Sequence, residues 1–176
     1  MPEQKLFATL GEWKVDEEKI WKTGQVSGCV YHGEDKLRDT TNRAFAMFSL
    51  ANPLHPDVFP SVRKMDAELV SMTLAMFNAD LAKAGGTTTS GGTESILLAC
   101  KTYRDGAREE KGITEPEMVC PESIHAAFDK AAAYFGIKLV KVPVDQHTFK
   151  ANVRAMKRAC NSNTIMVRRR VLCVEI

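Results

Sequence analysis

No apolar run in this 176-residue sequence approaches the roughly 20 residues that a membrane helix needs. The opening Met1-Pro2-Glu3-Gln4-Lys5 has no signal-peptide core behind it. No C-x-x-C occurs, and the five cysteines (Cys29, Cys100, Cys120, Cys160 and Cys173) are odd in number and widely scattered. That pattern speaks against a disulfide framework or a zinc site and for reduced thiols. Strong charge of one sign is missing too: the formal net charge is only +2, with the charges interspersed until the last few residues. A nucleic-acid partner would need more. The sequence therefore predicts a cytoplasmic chain with no metal, no nucleic-acid partner and no membrane segment.

The composition, 44% hydrophobic and 26% charged, is ordinary for a globular domain, and the length suits one domain better than two. The most informative stretch is Gly85-Gly86-Thr87-Thr88-Thr89-Ser90-Gly91-Gly92-Thr93-Glu94-Ser95, which leads into the apolar Ile96-Leu97-Leu98-Ala99. Glycines let backbone approach a ligand closely. A helix that starts there offers unpaired N–H groups and the positive end of its dipole, which together favour a phosphate. The stretch is neither a Walker loop nor a G-x-G-x-x-G fingerprint. On spacing alone, a plain Gly-rich connection whose hydroxyls cap a helix fits as well.

In chain order, residues 1–22 are polar around Trp13 and Trp21 and predict a short helix or arm, followed by a loop from Lys22 to Tyr31. Helical spacing of Leu37, Ala44, Phe45 and Phe48 predicts a helix over 34–48. Asn52 to Pro60 holds three prolines in nine residues and cannot be regular structure. Ser61 is the expected N-cap of a helix to about Phe77, ended by Asn78. Its stripe of Val62, Met65, Leu69, Met72 and Met76 suits core or subunit-interface packing. A helix over 94–110 should bury Ile96, Ala99, Cys100, Tyr103 and Ala107. Strands follow at 118–120, 139–142 and 164–167. Between them come a helix capped by Ser123, with Ile124, Ala127, Phe128, Ala131, Ala132 and Phe135 inward, and another over 149–160. Strands alternating with helices specify an α/β fold with a mostly parallel sheet. Its ligands sit beyond the carboxyl ends of the strands, where the glycine loop and the Pro121–His125 turn would lie.

Two local groups could carry chemistry. His125, one residue into its helix and off the apolar stripe, would tend to be neutral at a helix N-terminus and could stack on a planar ligand. An exposed surface histidine is the plainer alternative. Asn52 and His55 lie in the proline-stiffened loop, which either holds polar groups toward a site or merely connects two helices.

Residues 89–95, Thr-Ser-Gly-Gly-Thr-Glu-Ser, resemble the phosphate-binding loop of pyridoxal-phosphate (PLP) enzymes related to the group II amino-acid decarboxylases. The blocks 26–31, 52–60 and 125–132 resemble sphingosine-1-phosphate lyases, in order and with family-like spacing, from about residue 20 to about residue 167. The resemblance implies the N-terminal part of a fold type I (aspartate-aminotransferase-like) large parallel-sheet domain with a helical N-terminal segment, working as a homodimer. It also implies cleavage of a phosphorylated long-chain base into a fatty aldehyde and phosphoethanolamine. By the same resemblance, Gly91, Gly92 and Thr93 hold the cofactor phosphate, and His125 stacks on the pyridine ring as a catalytic residue. Asn52, His55 and Tyr31 face the substrate's polar head. Residues 1–78 would contribute to dimer and active site, 79–167 to the PLP-binding domain, and 168–176 would form a divergent tail.

The departures are expectations in their own right. The family's cofactor-bound Lys and its Asp opposite the pyridine nitrogen belong to later segments, so the chain reads as an N-terminal fragment, incompetent alone. Arg168-Arg169-Arg170 would be costly in a buried strand. Full-length eukaryotic members sit at the endoplasmic reticulum membrane with the catalytic domain in the cytosol. A decarboxylase-like fragment, or a non-catalytic partner of full-length subunits, is the alternative.

Overall fold

The computed structural model describes residues 1–168 and divides into two compact units, Met1–Glu68 and a second from Leu69 onward. The first contains α1 (Glu3–Trp21), α2 (Asp35–Phe48) and the first half of α3 (Pro60–Met76). The predicted short helix or arm is a helix of 19 residues. It is supported along its polar side by pairs one turn apart, Lys14–Glu18 at 3.4 Å and Lys22–Glu18 at 2.7 Å. Trp21 is half-buried near Val30 and Gly33, while Trp13 stays 60% exposed.

α3 begins at Pro60, so Ser61 lies inside the helix and is not its cap. Proline suits the first helical position because the N–H it lacks would be unpaired there. Asn78 takes the left-handed conformation (φ 54°) just past the end, as expected of a helix stop. None of α1, α2 or α3 contains a buried residue. Leu69, Met72 and Met76 stand exposed, so the stripe of α3 is not core among the described residues.

The second unit is built on three parallel strands, β1 (Glu117–Pro121), β2 (Lys138–Val142) and β3 (Thr164–Val167), in the order β2-β1-β3. α4 (Gly92–Lys111), α5 (Ala126–Phe135) and α6 (Val153–Ala159) connect and cover them. β1 is central and buried throughout, and its alternating side chains serve two cores. Met118 packs with Cys100 of α4 and Phe128, Ala131 and Ala132 of α5 on one face. Val119 packs with Val142 and Met156 of α6 on the other. Full burial of such a side chain is worth about 1.5–3 kcal/mol, so β1 carries a large share of what holds this unit together.

Local chemistry moved two boundaries. Residues 122–125 form a turn closed by Ile124 N–H to the Pro121 carbonyl (3.1 Å), so α5 starts at Ala126 and His125, not Ser123, is its N-cap. α6 starts at Val153 rather than 149. Asp145 draws in the N–H groups of His147 (3.0 Å) and Thr148 (2.7 Å), making a tight turn with Phe149 at φ 52°, and Asn152 becomes the cap. In α4, the inward residues are Ile96, Leu97, Cys100 and Ala107, whereas Tyr103 is 56% exposed. The predicted strands and their parallel pairing match. Arg168 continues the ladder, its N–H donating to the Val119 carbonyl (2.9 Å), and its exposed guanidinium sits 5.7 Å from the Phe128 ring. Arg169, Arg170 and the rest of the expected tail lie outside the described residues.

This topology places the site. α4 enters β1 at the strand's amino end, and α5 leaves from its carboxyl end, so both helices run antiparallel to β1 along the same face. Their N-termini therefore share the carboxyl end of the sheet. The connection through α5 leads to one side of β1 and the one through α6 to the other, which makes β1/β3 a switch point of the kind where ligands bind.

Candidate cofactor-phosphate site

The loop before α4 is shaped by its own side chains. Ser90 donates both its N–H and its hydroxyl to Glu94 Oε2, each at 2.6 Å. The Thr89 and Ser95 hydroxyls lie 2.7 Å apart, and both reach the Gly91 carbonyl, at 3.1 and 3.3 Å. Ser95 N–H also bonds that carbonyl, closing the first helical turn (3.1 Å). The Ser90 hydroxyl, then its N–H, hold the Glu94 carboxyl below its usual range.

These bonds leave a defined remainder. The N-cap, Gly91, offers no side chain to the helix. Among the described residues, no hydrogen bond uses the N–H groups of Gly91, Gly92 or Thr93. Packing and backbone conformation do not explain the glycines at 91 and 92. Gly91 is extended, Gly92 is helical, and a Cβ built on either would meet no protein atom within 4 Å. Unclaimed donors beside open space fit a ligand that brings its own acceptor oxygens, and the helix dipole favours an anionic one. The donor set thus fits the phosphate of PLP.

His125 is the N-cap of α5, and its Nδ1 accepts the Ala127 N–H at 3.0 Å. That bond engages the Nδ1 lone pair, which puts the ring proton on Nε2. The ring itself is exposed at the carboxyl end of β1, the same end that carries Gly91, Gly92 and Thr93. A cleft of ≈ 510 Å³ runs beside the first turns of α4, lined by Ser95, Ile96, Phe128 and the end of β3. A second, of ≈ 360 Å³, lies between Leu69–Leu74 and Gly86–Thr89. Neither is lined by Gly92 or His125.

The remaining sequence-derived residues belong to the first unit. Asn52 and His55 come together in one turn: Asn52 Oδ1 accepts the Leu54 N–H (3.1 Å), and its carbonyl accepts that of His55 (3.0 Å). Tyr31 is 97% exposed in the loop after α1. Sequence reasoning missed the role of Ser90 and Glu94. The available signal was a glutamate in the first turn preceded by a hydroxyl residue, the composition of a helix-start box.

No family model matches the chain. It is 54% identical over 148 residues to sphingosine-1-phosphate lyase 1 of Rattus norvegicus, covering 84% of this chain and 26% of that protein. Sphingosine-1-phosphate lyase of Saccharomyces cerevisiae is 52% identical over 147 residues, covering 84% and 25%. The chain thus spans about a quarter of the length of these relatives. Among solved structures, sphingosine-1-phosphate lyase of Burkholderia pseudomallei matches with TM-score 0.84 and 36% identity, over 95% of this chain and 40% of that one. A Lactobacillus brevis glutamate decarboxylase matches with TM-score 0.59 and 18% identity over 86% of this chain and 37% of that one, a likeness of fold alone. The architecture is that of the fold type I, PLP-dependent enzymes. Over the stretch it shares with these relatives, the chain belongs to the sphingosine-1-phosphate lyase family.

Proposed function

We propose that this chain supplies the phosphate cradle and ring-stacking face of a PLP-dependent carbon–carbon lyase. The enzyme would split a sphingoid-base 1-phosphate into a long-chain aldehyde and phosphoethanolamine. The observation that carries this is the set of unclaimed N–H groups at Gly91, Gly92 and Thr93, placed at the same sheet end as the exposed His125 ring. When bound, PLP supplies a ring that accepts the electrons of the breaking bond.

The chain's own residues bind and orient. Gly91 and Gly92 offer backbone donors without Cβ atoms in the way, and Thr93 adds a hydroxyl. The helix dipole favours the dianion without a charged side chain that would need its own counter-ion. His125 is fixed by its bond to Ala127 N–H, so its ring can lie against the cofactor without losing freedom on binding. Asn52, His55 and Tyr31 face the substrate's polar head. The exposed apolar side chains of α1, α2 and α3, among them Phe7, Phe45, Leu69 and Met76, support a homodimer in which these helices are covered. No described helix is long and apolar enough to cross a membrane.

Titration of the purified chain with PLP, followed by absorbance, tests the cradle: saturable binding should be lost in T93A and weakened in H125A. For the reaction, residues 20–167 would replace the matching segment of the rat relative. Release of long-chain aldehyde from a sphingoid-base phosphate supports the assignment. Decarboxylation of an amino acid without aldehyde release overturns it.

A further inference from the structure

We propose that Glu94 is a positioning residue for this anion site, acting through Ser90, and that the Ser90–Glu94 clasp keeps the donors of Gly91, Gly92 and Thr93 free. The inference rests on the phosphate-cradle reading above. A glutamate in the first helical turn is at first sight a poor neighbour for a phosphate, since like charges repel and both compete for the same end of the dipole. Its geometry supplies a reason for its presence.

Near a helix start, Ser and Thr hydroxyls ordinarily turn onto the free N–H groups and cap them. Of the hydroxyls beside this helix start, those of Thr89, Ser90 and Ser95 all bond elsewhere. Glu94 Oε2 holds the Ser90 hydroxyl and, in the same grip, the Ser90 N–H. Thr89 and Ser95 engage each other and the Gly91 carbonyl. The hydroxyls of Thr89, Ser90 and Ser95 are thus tied elsewhere, and the cost of holding them there falls on folding rather than on binding. A carboxylate acceptor makes the clasp charge-assisted, and the same two bonds hold the Glu94 carboxyl below its usual range.

Removing the clasp should free Ser90 to cap the helix and let the loop wander. In calorimetric titrations of the full chain with inorganic phosphate and with PLP, E94A should bind both roughly five- to tenfold more weakly, the loss of about one charge-assisted hydrogen bond at an exposed site. S90A should lose less, because its N–H remains. The S90A/E94A double variant should be no weaker than E94A alone, since both changes break one interaction. E94Q, which keeps an oxygen for the Ser90 N–H, should recover part of the affinity. Melting curves of each variant accompany the titrations, and binding is compared well below the lowest midpoint.

Wild-type affinity in E94A, or additive losses in the double variant, overturns the clasp while leaving the cradle intact. Losses that follow the melting midpoints and are not restored in E94Q reduce Glu94 to a stabilising residue and overturn the proposal as well. If the wild-type chain binds neither phosphate nor PLP, the cradle reading fails, and the clasp with it.

Discussion

Replacing Gly92 by alanine should separate the stability of this chain from its function. Gly92 is the first residue of α4, it is not in the left-handed region, and an added Cβ would meet no protein atom within 4 Å. Nothing in the fold resists the methyl group. Alanine restricts the unfolded chain more than glycine does, so G92A should be more stable by about 0.5 kcal/mol. For a unit of this size that raises the melting midpoint by roughly 2–4 °C. The same methyl stands on the residue whose N–H must approach a phosphate oxygen to about 2.9 Å. PLP affinity should therefore fall at least roughly tenfold, about 1.4 kcal/mol. Circular-dichroism melting and a PLP absorbance titration on one preparation give both numbers. If G92A melts lower than wild type, the open space beside Gly92 is wrong. If it melts higher and binds PLP normally, the glycine is not there for a ligand.

Other perturbations isolate single contacts. H125A should lose about 1 kcal/mol of stability with the N-cap bond to Ala127. H125N should restore the melting midpoint, because asparagine caps well, without restoring the wild-type PLP spectrum. At the amino end of β1, the Lys138 ammonium, and secondarily Asn161, hold the Glu117 carboxyl below its usual range. Its contribution is present above the ordinary glutamate value near 4.3 and is lost as pH falls through the lower folded value. Melting midpoints from about pH 6 to 3 should accordingly fall less steeply in E117Q, and identical slopes would refute this role. Burial raises the Cys100 thiol and pushes Cys120 up to about 11, whereas Cys29 and Cys160 are exposed. In a C173S background, a thiol reagent at pH 7.5 should label Cys29 and Cys160 in the folded chain and reach Cys100 and Cys120 only after denaturation.

The sheet was legible because its signals are local: short apolar runs at 118–120, 139–142 and 164–167, the first two followed directly by proline. Positions fixed by competition among polar groups were less so. Ser123 and His125 are both able to cap α5, and the Pro121–Ile124 turn decides in favour of His125. Asp145 claims the backbone at 147 and 148 and shortens α6 from its start. The stripe of α3 has the periodicity of a core helix, yet Leu69, Met72 and Met76 are exposed. Periodicity reports that a face wants cover, not where the cover comes from. At the candidate site, the Gly-rich stretch 85–95 stood out from composition, and Gly91, Gly92 and Thr93 within it only through the family resemblance. The clasp did not, because which of several neighbouring hydroxyls pairs with which acceptor is a matter of ångströms that residue order does not carry.

The central position of β1 has a consequence for how the molecule opens. A strand buried along its whole length, with Met118 in one core and Val119 in the other, cannot be released from one face while the other stays intact. Its amides should be among the last to exchange with deuterium, and only by unfolding of the whole second unit as one cooperative block. The helices α1 and α2, which bury no residue, should exchange orders of magnitude sooner. A ligand held at the start of α4, which packs on that strand, would then slow exchange throughout the block. Deuterium uptake at Met118 and Val119 would report occupancy of a site neither residue touches.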